Sequence, residues 1–282
     1  MESTVIPYMK PLVIYHGECA DGFAGAWTAH RAFSGNLTLH AAMHGSTPPD
    51  VEGKDVYILD FAYPRSTMIT LAEKANKLVL LDHHKTALQE LKDLKQLNAV
   101  LDMTRSGSHI TWDYFFPRET APALLLYIED QDLGRFKLPF SREVNEAVFS
   151  YPYSLAVWER LMMQDISVLM QEGTILLRKL NQDLSRLIPA LTRKLRIAGY
   201  EVPAVNLPFT LAPHAAEALA KGVPFAAGYW DTPENRVFSL RSEPEGLDVA
   251  EIAKVYGGGG HARSAGFRVS RETAALFDAL KD

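Results

Sequence analysis

Cysteine is almost missing from these 282 residues: Cys19 stands alone. One thiol excludes a disulfide within the chain and, with it, the small secreted folds that depend on such staples. A basic excess is missing too, with 29 Lys and Arg against 34 Asp and Glu and a formal net charge of -5. Tracking along long duplex DNA requires a positive surface, so that class is not expected, while a local basic pocket remains compatible with the balance. No apolar run reaches the roughly eighteen residues of a membrane helix, and no membrane role is expected. Met1 to Lys10 lacks the apolar stretch and small-residue cleavage site of a secretory leader. These absences together predict a cytoplasmic protein. No internal repeat interrupts the chain.

What is present is an ordinary folding composition, 47% hydrophobic, in a chain long enough for two domains. Apolar runs at Leu12–Tyr15, Val56–Phe61, Leu78–Leu81 and Asn98–Leu101 read as strands. Helical stretches separate them: Gly22–Phe33, the segment after Pro64 through Lys77, and Ser108–Phe116. Continuous apolar strands alternating with helices predict an α/β fold with a mostly parallel sheet and helices on both faces. Ala121–Glu129 reads as helix, interrupted by the polar segment Asp130–Gly134. Leu155–Leu195 predicts connecting helices broken near Pro189. Beyond Arg196, strands at Val202–Leu207, Ala226–Trp230, Val237–Arg241 and Ala265–Val269, with a helix at Asp248–Tyr256, predict a smaller α/β domain. The expected division is therefore 1–150, a helical connector 151–195, and 196–282.

Polar groups gather where the apolar runs stop. The first leads to His16, Cys19 and Asp21, the second to Asp60, and the third runs directly into Asp82-His83-His84. In open parallel sheets ligands collect at the carboxyl ends of strands, and carboxylates with imidazoles hold divalent cations such as Mn²⁺, Zn²⁺ or Co²⁺. A lone strand-terminal Asp is more often a cap or surface group, so Asp21 and Asp60 are weak signals singly. Asp130 and Asp132, two apart, would share a side if the segment is extended; a solvated acidic turn is the plainer reading.

In this order the motifs resemble the DHH–DHHA1 phosphoesterase superfamily. Asp82-His83-His84 matches its naming motif, His16–Gly22 its first motif, Asp60 its second metal position, and Asp132–Phe136 its fourth motif. The resemblance covers most of residues 13–136. It implies a metal-dependent phosphoesterase with Mn²⁺ preferred, one or two ions, and Mg²⁺ or Co²⁺ as substitutes. It nominates His16, Asp21, Asp60, His83 and Asp132 as direct ligands, with Asp130 as the substitute for Asp132. Asp82 and His84 would ligate, orient ligands or support acid–base chemistry. One departure stands out: Cys19-x-Asp21 replaces the Asp-x-Asp of many relatives. A thiolate cannot copy a carboxylate's bridging reach, which leaves Cys19 as soft ligand, support for the ligands or packing residue, and leaves the metal count open.

Gly257–Gly260, which reads as an abrupt loop before the Ala265–Val269 strand, is with the following His261 the second conspicuous feature. Four glycines cost backbone entropy, and core packing is not expected to explain them; they would let backbone N–H groups approach an anion. Gly257 to Gly266 resembles the signature of the DHHA1 substrate-binding domain, and Ser239–Ser242 its accompanying strand. The resemblance implies substrate contacts from Ser239, Arg241, Gly258, Gly259, Gly260, His261 and Arg263 across an inter-domain cleft. Arg105-Ser-Gly-Ser108 is a further anion-binding candidate, balanced against a helix-starting turn. Trp112, Tyr114, Phe115 and Phe116 read as packing more readily than as a base-stacking platform.

The expected reaction is hydrolysis of a short oligonucleotide, dinucleotide or nucleoside phosphate by metal-activated water. An inorganic pyrophosphatase is the enzymatic alternative; a weakened nucleotide-binding or sensing protein and RNA binding through the second domain are the non-enzymatic ones. Oligomeric state is open, a homodimer included.

Overall fold

The computed structural model describes residues 10–94 and 97–277. The reading of Met1 to Lys10 as leader-free therefore lies outside the described residues, Lys10 excepted. The chain divides into two compact units, Met1–Leu176 and Leu177–Asp282.

In the first unit the chain forms β1 (Leu12–His16), α1 (Ala20–Ala32), β2 (Thr38–Ala42), β3 (Asp55–Leu59), α2 (Arg65–Lys74), β4 (Lys77–Asp82), α3 (Lys85–Leu91) and β5 (Asn98–Leu101). Helices α4 (Gly107–Phe115), α5 (Ala123–Asp132), α6 (Ser141–Phe149) and α7 (Leu155–Met163) follow, and α8 (Ile166–Leu191) runs past the unit's end. The strands make one five-stranded sheet in the order β2-β1-β3-β4-β5, every pairing parallel.

Burial on both faces explains why the strands read as unbroken apolar runs. Val56, Ile58, Leu78 and Leu80 enter one core cluster, while Tyr57, Leu59, Val79 and Leu81 enter the cluster on the opposite face. Trp112 and Phe116 pack with Trp27 and Phe23 against the later helices, and Trp27 and Trp112 stack at 6.1 Å. Packing is thus what the aromatic run does. The strand order reverses between β1 and β3, so the loops leaving these strands part in opposite directions and open a crevice at the carboxyl ends.

The second unit holds β6 (Thr192–Ile197), β7 (Tyr200–Asn206), α9 (Ala212–Leu219), β8 (Ala226–Asp231), β9 (Asn235–Arg241), α10 (Val249–Lys254), β10 (Gly259–His261), β11 (Ser264–Ser270) and α11 (Arg271–Ala274). Its six-stranded sheet runs β10-β11-β9-β8-β7-β6, antiparallel except for β7 with β8. Among the described residues no helix is long and apolar enough to cross a membrane.

Three expectations are corrected. The Asp130–Asp132 segment is the last turn of α5 rather than an interruption, so these two carboxylates point to different sides of a helix. Residues 192–195 belong to β6: Leu195 and Ile197 are buried with exposed Arg196 between them, a period of two that a helix would not produce. Gly259 and Gly260 are not loop but edge strand, paired with Gly266 and Ala265.

Candidate metal centre

Three adjacent strands deliver the site. His16 closes β1, Cys19 caps α1 with Asp21 in its first turn, Asp60 follows β3, and Asp82 closes β4. Asp60 adopts a left-handed φ of 53°, uncommon without a glycine, directly at the crevice. Gly107, at the start of α4, makes room for it, because a Cβ there would lie 2.6 Å from the Asp60 Cβ and 3.0 Å from Asp21 Oδ2. The Asp-His-His word encodes a turn as well as donors. Asp82 Oδ1 accepts the backbone N–H of His83 at 2.7 Å and of His84 at 3.2 Å, and meets His84 Nδ1 at 2.7 Å.

Asp60 is the hub. Its Oδ1 lies 3.1 Å from His83 Nε2, while its Oδ2 lies 3.5 Å from both His16 Nδ1 and Cys19 Sγ. His83 Nε2 is also 3.3 Å from Asp132 Oδ2. Potential ligand atoms accordingly fall into overlapping groups: His16 with Cys19 and Asp60, Asp21 with His83 and Asp132, and Asp60 with Asp82, His83 and His84. The two oxygens of Asp60 face different groups, as a carboxylate must to bridge two cations.

The electrostatics are those of a site short of positive charge. Burial opposes ionisation of Asp60, but the His16 and His83 rings beside it outweigh burial and hold its carboxyl well below the usual range. Burial, then the charges of Asp60 and Asp132, push Asp21 well up, and burial also raises Asp132 and the Cys19 thiol. His83 rises to about 10 and His84 to about 9: burial resists, and the surrounding carboxylates, Asp60 for His83 and Asp82 for His84, prevail. Asp82 Oδ2 and Asp132 Oδ2 are buried atoms without a hydrogen-bond partner among the described residues. Buried carboxylate oxygens left in this way are costly, and a divalent cation satisfies them; the mixed oxygen and imidazole donors fit such an ion.

Asp130 stands apart from this cluster in its bonding. It accepts the backbone N–H groups of Lys137 at 2.9 Å and Leu138 at 3.1 Å, closing the turn after α5. Arg105 is tied to two carboxylates, Asp102 at 2.8 Å and Asp113 at 2.5 Å, and Ser106 caps α4 by accepting His109 N–H at 3.3 Å. His44 and Glu129 escape the sequence reading, whereas Ser108 lies in the Arg105–Ser108 segment that reads as an anion-binding candidate. The His44 ring lies 5.4 Å from that of His16, Ser108 donates to Asp21, and Glu129 binds the backbone of Ser106. His44 follows a strand, Thr38–Ala42, whose partial exposure blurs its pattern.

In the second unit Ser239 and Arg241 lie on β9, and Arg241 Nη1 donates to Ser239 Oγ and Leu240 O, each at 2.9 Å. The Arg263 guanidinium donates to the carbonyls of Glu243, Pro244 and Gly246. His261 ends β10, opposite Ser264. Most of the glycine run has a packing reason, contrary to expectation. Gly257 (φ 76°) and Gly258 close α10 through bonds to Lys254 O and Ala253 O, each 3.0 Å. A Cβ on Gly258 would meet Gly266 O at 2.1 Å, and one on Gly260 would meet Ser264 O at 2.6 Å; around Gly259 the space is open.

No known family model matches the chain. Its sequence is 27% identical over 301 aligned positions to an uncharacterized protein of Acanthamoeba polyphaga mimivirus, covering 96% of this chain and 70% of that one. Among solved structures it is similar to RecJ from Thermus thermophilus in complex with Mn²⁺, at TM-score 0.50 and 16% identity over 96% of this chain. The chain spans about half the length of that RecJ, 51%, and at this identity the likeness concerns the fold. A pGpG-specific phosphodiesterase, PggH from Vibrio cholerae, aligns over 95% of both chains with 13% identity and a TM-score of 0.47.

Proposed function

We propose that the protein is a phosphoesterase of the DHH–DHHA1 type that uses Mn²⁺ or a similar divalent cation to hydrolyse a short oligonucleotide, dinucleotide or nucleoside phosphate. The observation that carries this reading is the convergence of His16, Asp21, Asp60, His83 and Asp132 at the ends of parallel strands, beside the buried Asp82 Oδ2 that has no hydrogen-bond partner among the described residues. These five residues would hold one or two ions. When bound, the cation would lower the pKa of a water and neutralise charge on the phosphoryl oxygens.

The protein's own groups supply the geometry. Asp82 fixes the His84 ring through Nδ1, which assigns any metal or proton role to Nε2. Asp60 sets the orientation of His83 through the same kind of bond. The second unit takes the part of the substrate-holding domain, and Arg241 is its best phosphate donor because a single terminal nitrogen, Nη1, makes its bonds to both Ser239 Oγ and Leu240 O. Arg263 is already occupied by three carbonyls and Arg105 by two carboxylates, so both rank below it. The single thiol is consistent with a reducing, cytoplasmic setting.

The test is a Mn²⁺-dependent hydrolysis panel: pyrophosphate, nucleoside phosphates, cyclic dinucleotides, and RNA and DNA fragments of two to five residues. Turnover that requires a base or sugar and vanishes in His83→Ala is the expected result. Equal turnover of pyrophosphate would instead identify an inorganic pyrophosphatase. Nucleotide binding with verified metal loading and no turnover of any substrate would leave a sensing protein, the outcome that Cys19 in place of a carboxylate favours.

A further inference from the structure

Asp21 is braced from a direction the other members of the cluster are not: its bonds lead to α4. It receives the Ser108 N–H at 3.2 and 3.1 Å on its two oxygens and the Ser108 hydroxyl at 2.5 Å. Because that hydroxyl gives its proton to Asp21, its lone pairs face Ser106 Oγ, 3.1 Å away, which must then be the donor. Ser106 in turn anchors through its backbone N–H, 3.1 Å from Glu129 Oε2. All four residues of this chain of bonds are buried.

Glu129 is held from its far side. His109 Nδ1 lies 2.6 Å from Oε2, and Arg135 Nη1 donates to Oε1 at 2.9 Å. It belongs to α5, three residues before Asp132, so the two occupy neighbouring positions on one face of that helix. One carboxylate thus ties down α4, which braces Asp21, and α5, which ends at Asp132.

We infer that Glu129 is a positioning residue of the metal centre, setting Asp21 through Ser106 and Ser108 and setting Asp132 through the last turn of α5. It touches neither metal nor substrate in this assignment. Packing alone does not call for an acid here, since a buried carboxylate is retained at a desolvation cost that an apolar residue of similar size avoids. The inference rests on the metal-centre reading above.

The experiment measures Mn²⁺ affinity by calorimetry on metal-stripped full-length protein, with thermal unfolding in chelator beside it. Glu129→Gln keeps the shape but loses the ion pairs, and should weaken Mn²⁺ binding by about 10- to 100-fold, the usual cost of disturbing groups that orient metal ligands. Ser108→Ala should weaken it likewise and Ser108→Thr, which keeps the hydroxyl, should largely restore it. Combined with Ser108→Ala, Glu129→Gln should cost less than the product of the two single losses, because they share one chain of bonds. Val148→Ala, a truncation in the helical core beside α5, supplies a variant of reduced stability whose Mn²⁺ affinity should be unchanged. Wild-type affinity in Glu129→Gln, or an equal loss of affinity in Val148→Ala, would overturn the inference while leaving the metal centre standing. Wild-type protein that binds no Mn²⁺ at all would overturn both.

Discussion

The cluster at the ends of the parallel strands and the glycine run of the second unit are the two most conspicuous words in the sequence, and their surroundings treat them oppositely. Around Asp60, Asp82 and Asp132, protein packing leaves a deficit: carboxylates crowd together, imidazoles are held protonated, and buried oxygens lack donors. Around Gly257, Gly258 and Gly260 the deficit disappears, because helix capping and strand contact account for each missing side chain. A residue that its own fold does not satisfy is stronger evidence for a ligand than a residue of unusual type. The comparison ranks the two features differently from their visibility in the sequence.

The largest effect should come from the hub. Asp60→Asn keeps the size of the side chain but removes the charge that serves His16, Cys19 and His83 together. Loss of Mn²⁺ affinity and of hydrolysis should exceed the roughly 100-fold ceiling typical of groups that merely orient ligands. Steady-state kinetics with metal titration would check it, and a variant within tenfold of wild type would remove Asp60 from the centre.

The protonated imidazoles give the next prediction its sign. His83 and His84 are raised in the folded, metal-free protein to about 10 and about 9, from 6.5, so the folded state binds protons that the unfolded state has released. Their contribution to stability is complete below pH 6.5 and is lost as pH rises through 9 to 10. Asp21, also raised, acts in the same direction. Melting temperature in chelator should therefore fall across this window, whereas with saturating Mn²⁺ the decline should flatten, because metal takes the place of the protons. Identical pH profiles with and without metal would contradict the assignment of these histidines to a cation site.

Glycine substitution tests the other half of the comparison. Gly107→Ala and Gly258→Ala both force a Cβ into occupied space, against Asp60 in one unit and against Gly266 O in the other. Each should destabilise by about 1–3 kcal/mol as an overpacked site does. Only Gly107→Ala should also weaken Mn²⁺ binding at temperatures where the protein remains folded, since the displaced groups are Asp60 and Asp21.

Much of the first sheet is legible in the sequence because burial on both faces writes itself into the strands: apolar runs mark β1, β3, β4 and β5, and the donors follow where those runs end. The position of Asp82-His83-His84 at a strand end is legible for the same reason. Edge strand β2 is not, since half-exposed Thr38–Ala42 carries no clean alternation, and His44 is missed with it. Choosing between Asp130 and Asp132 required knowing that the segment is helical. The bracing by Ser108 and Glu129 spans sequence separations of 87 and 23 residues, which no local pattern encodes.

The smallest effect is the most discriminating for the glycine run. Gly259 is the member with neither a packing nor a backbone reason: a Cβ there would meet nothing within 4 Å, as at Gly257, but Gly257 alone of these two has a positive φ. Its place in β10 opposite Gly266 puts it on an edge strand, where an alanine is sterically harmless. Gly259→Ala should thus shift stability by no more than about 0.5 kcal/mol, the range of inconspicuous surface changes. If this strand edge also approaches a substrate phosphate, the added methyl group would obstruct that approach, and KM should rise several-fold while Mn²⁺ affinity stays at the wild-type value. An unchanged KM would leave the run as a helix cap and a strand contact, and the substrate-binding role would then fall to Arg241, which bonds Ser239 Oγ and Leu240 O through Nη1.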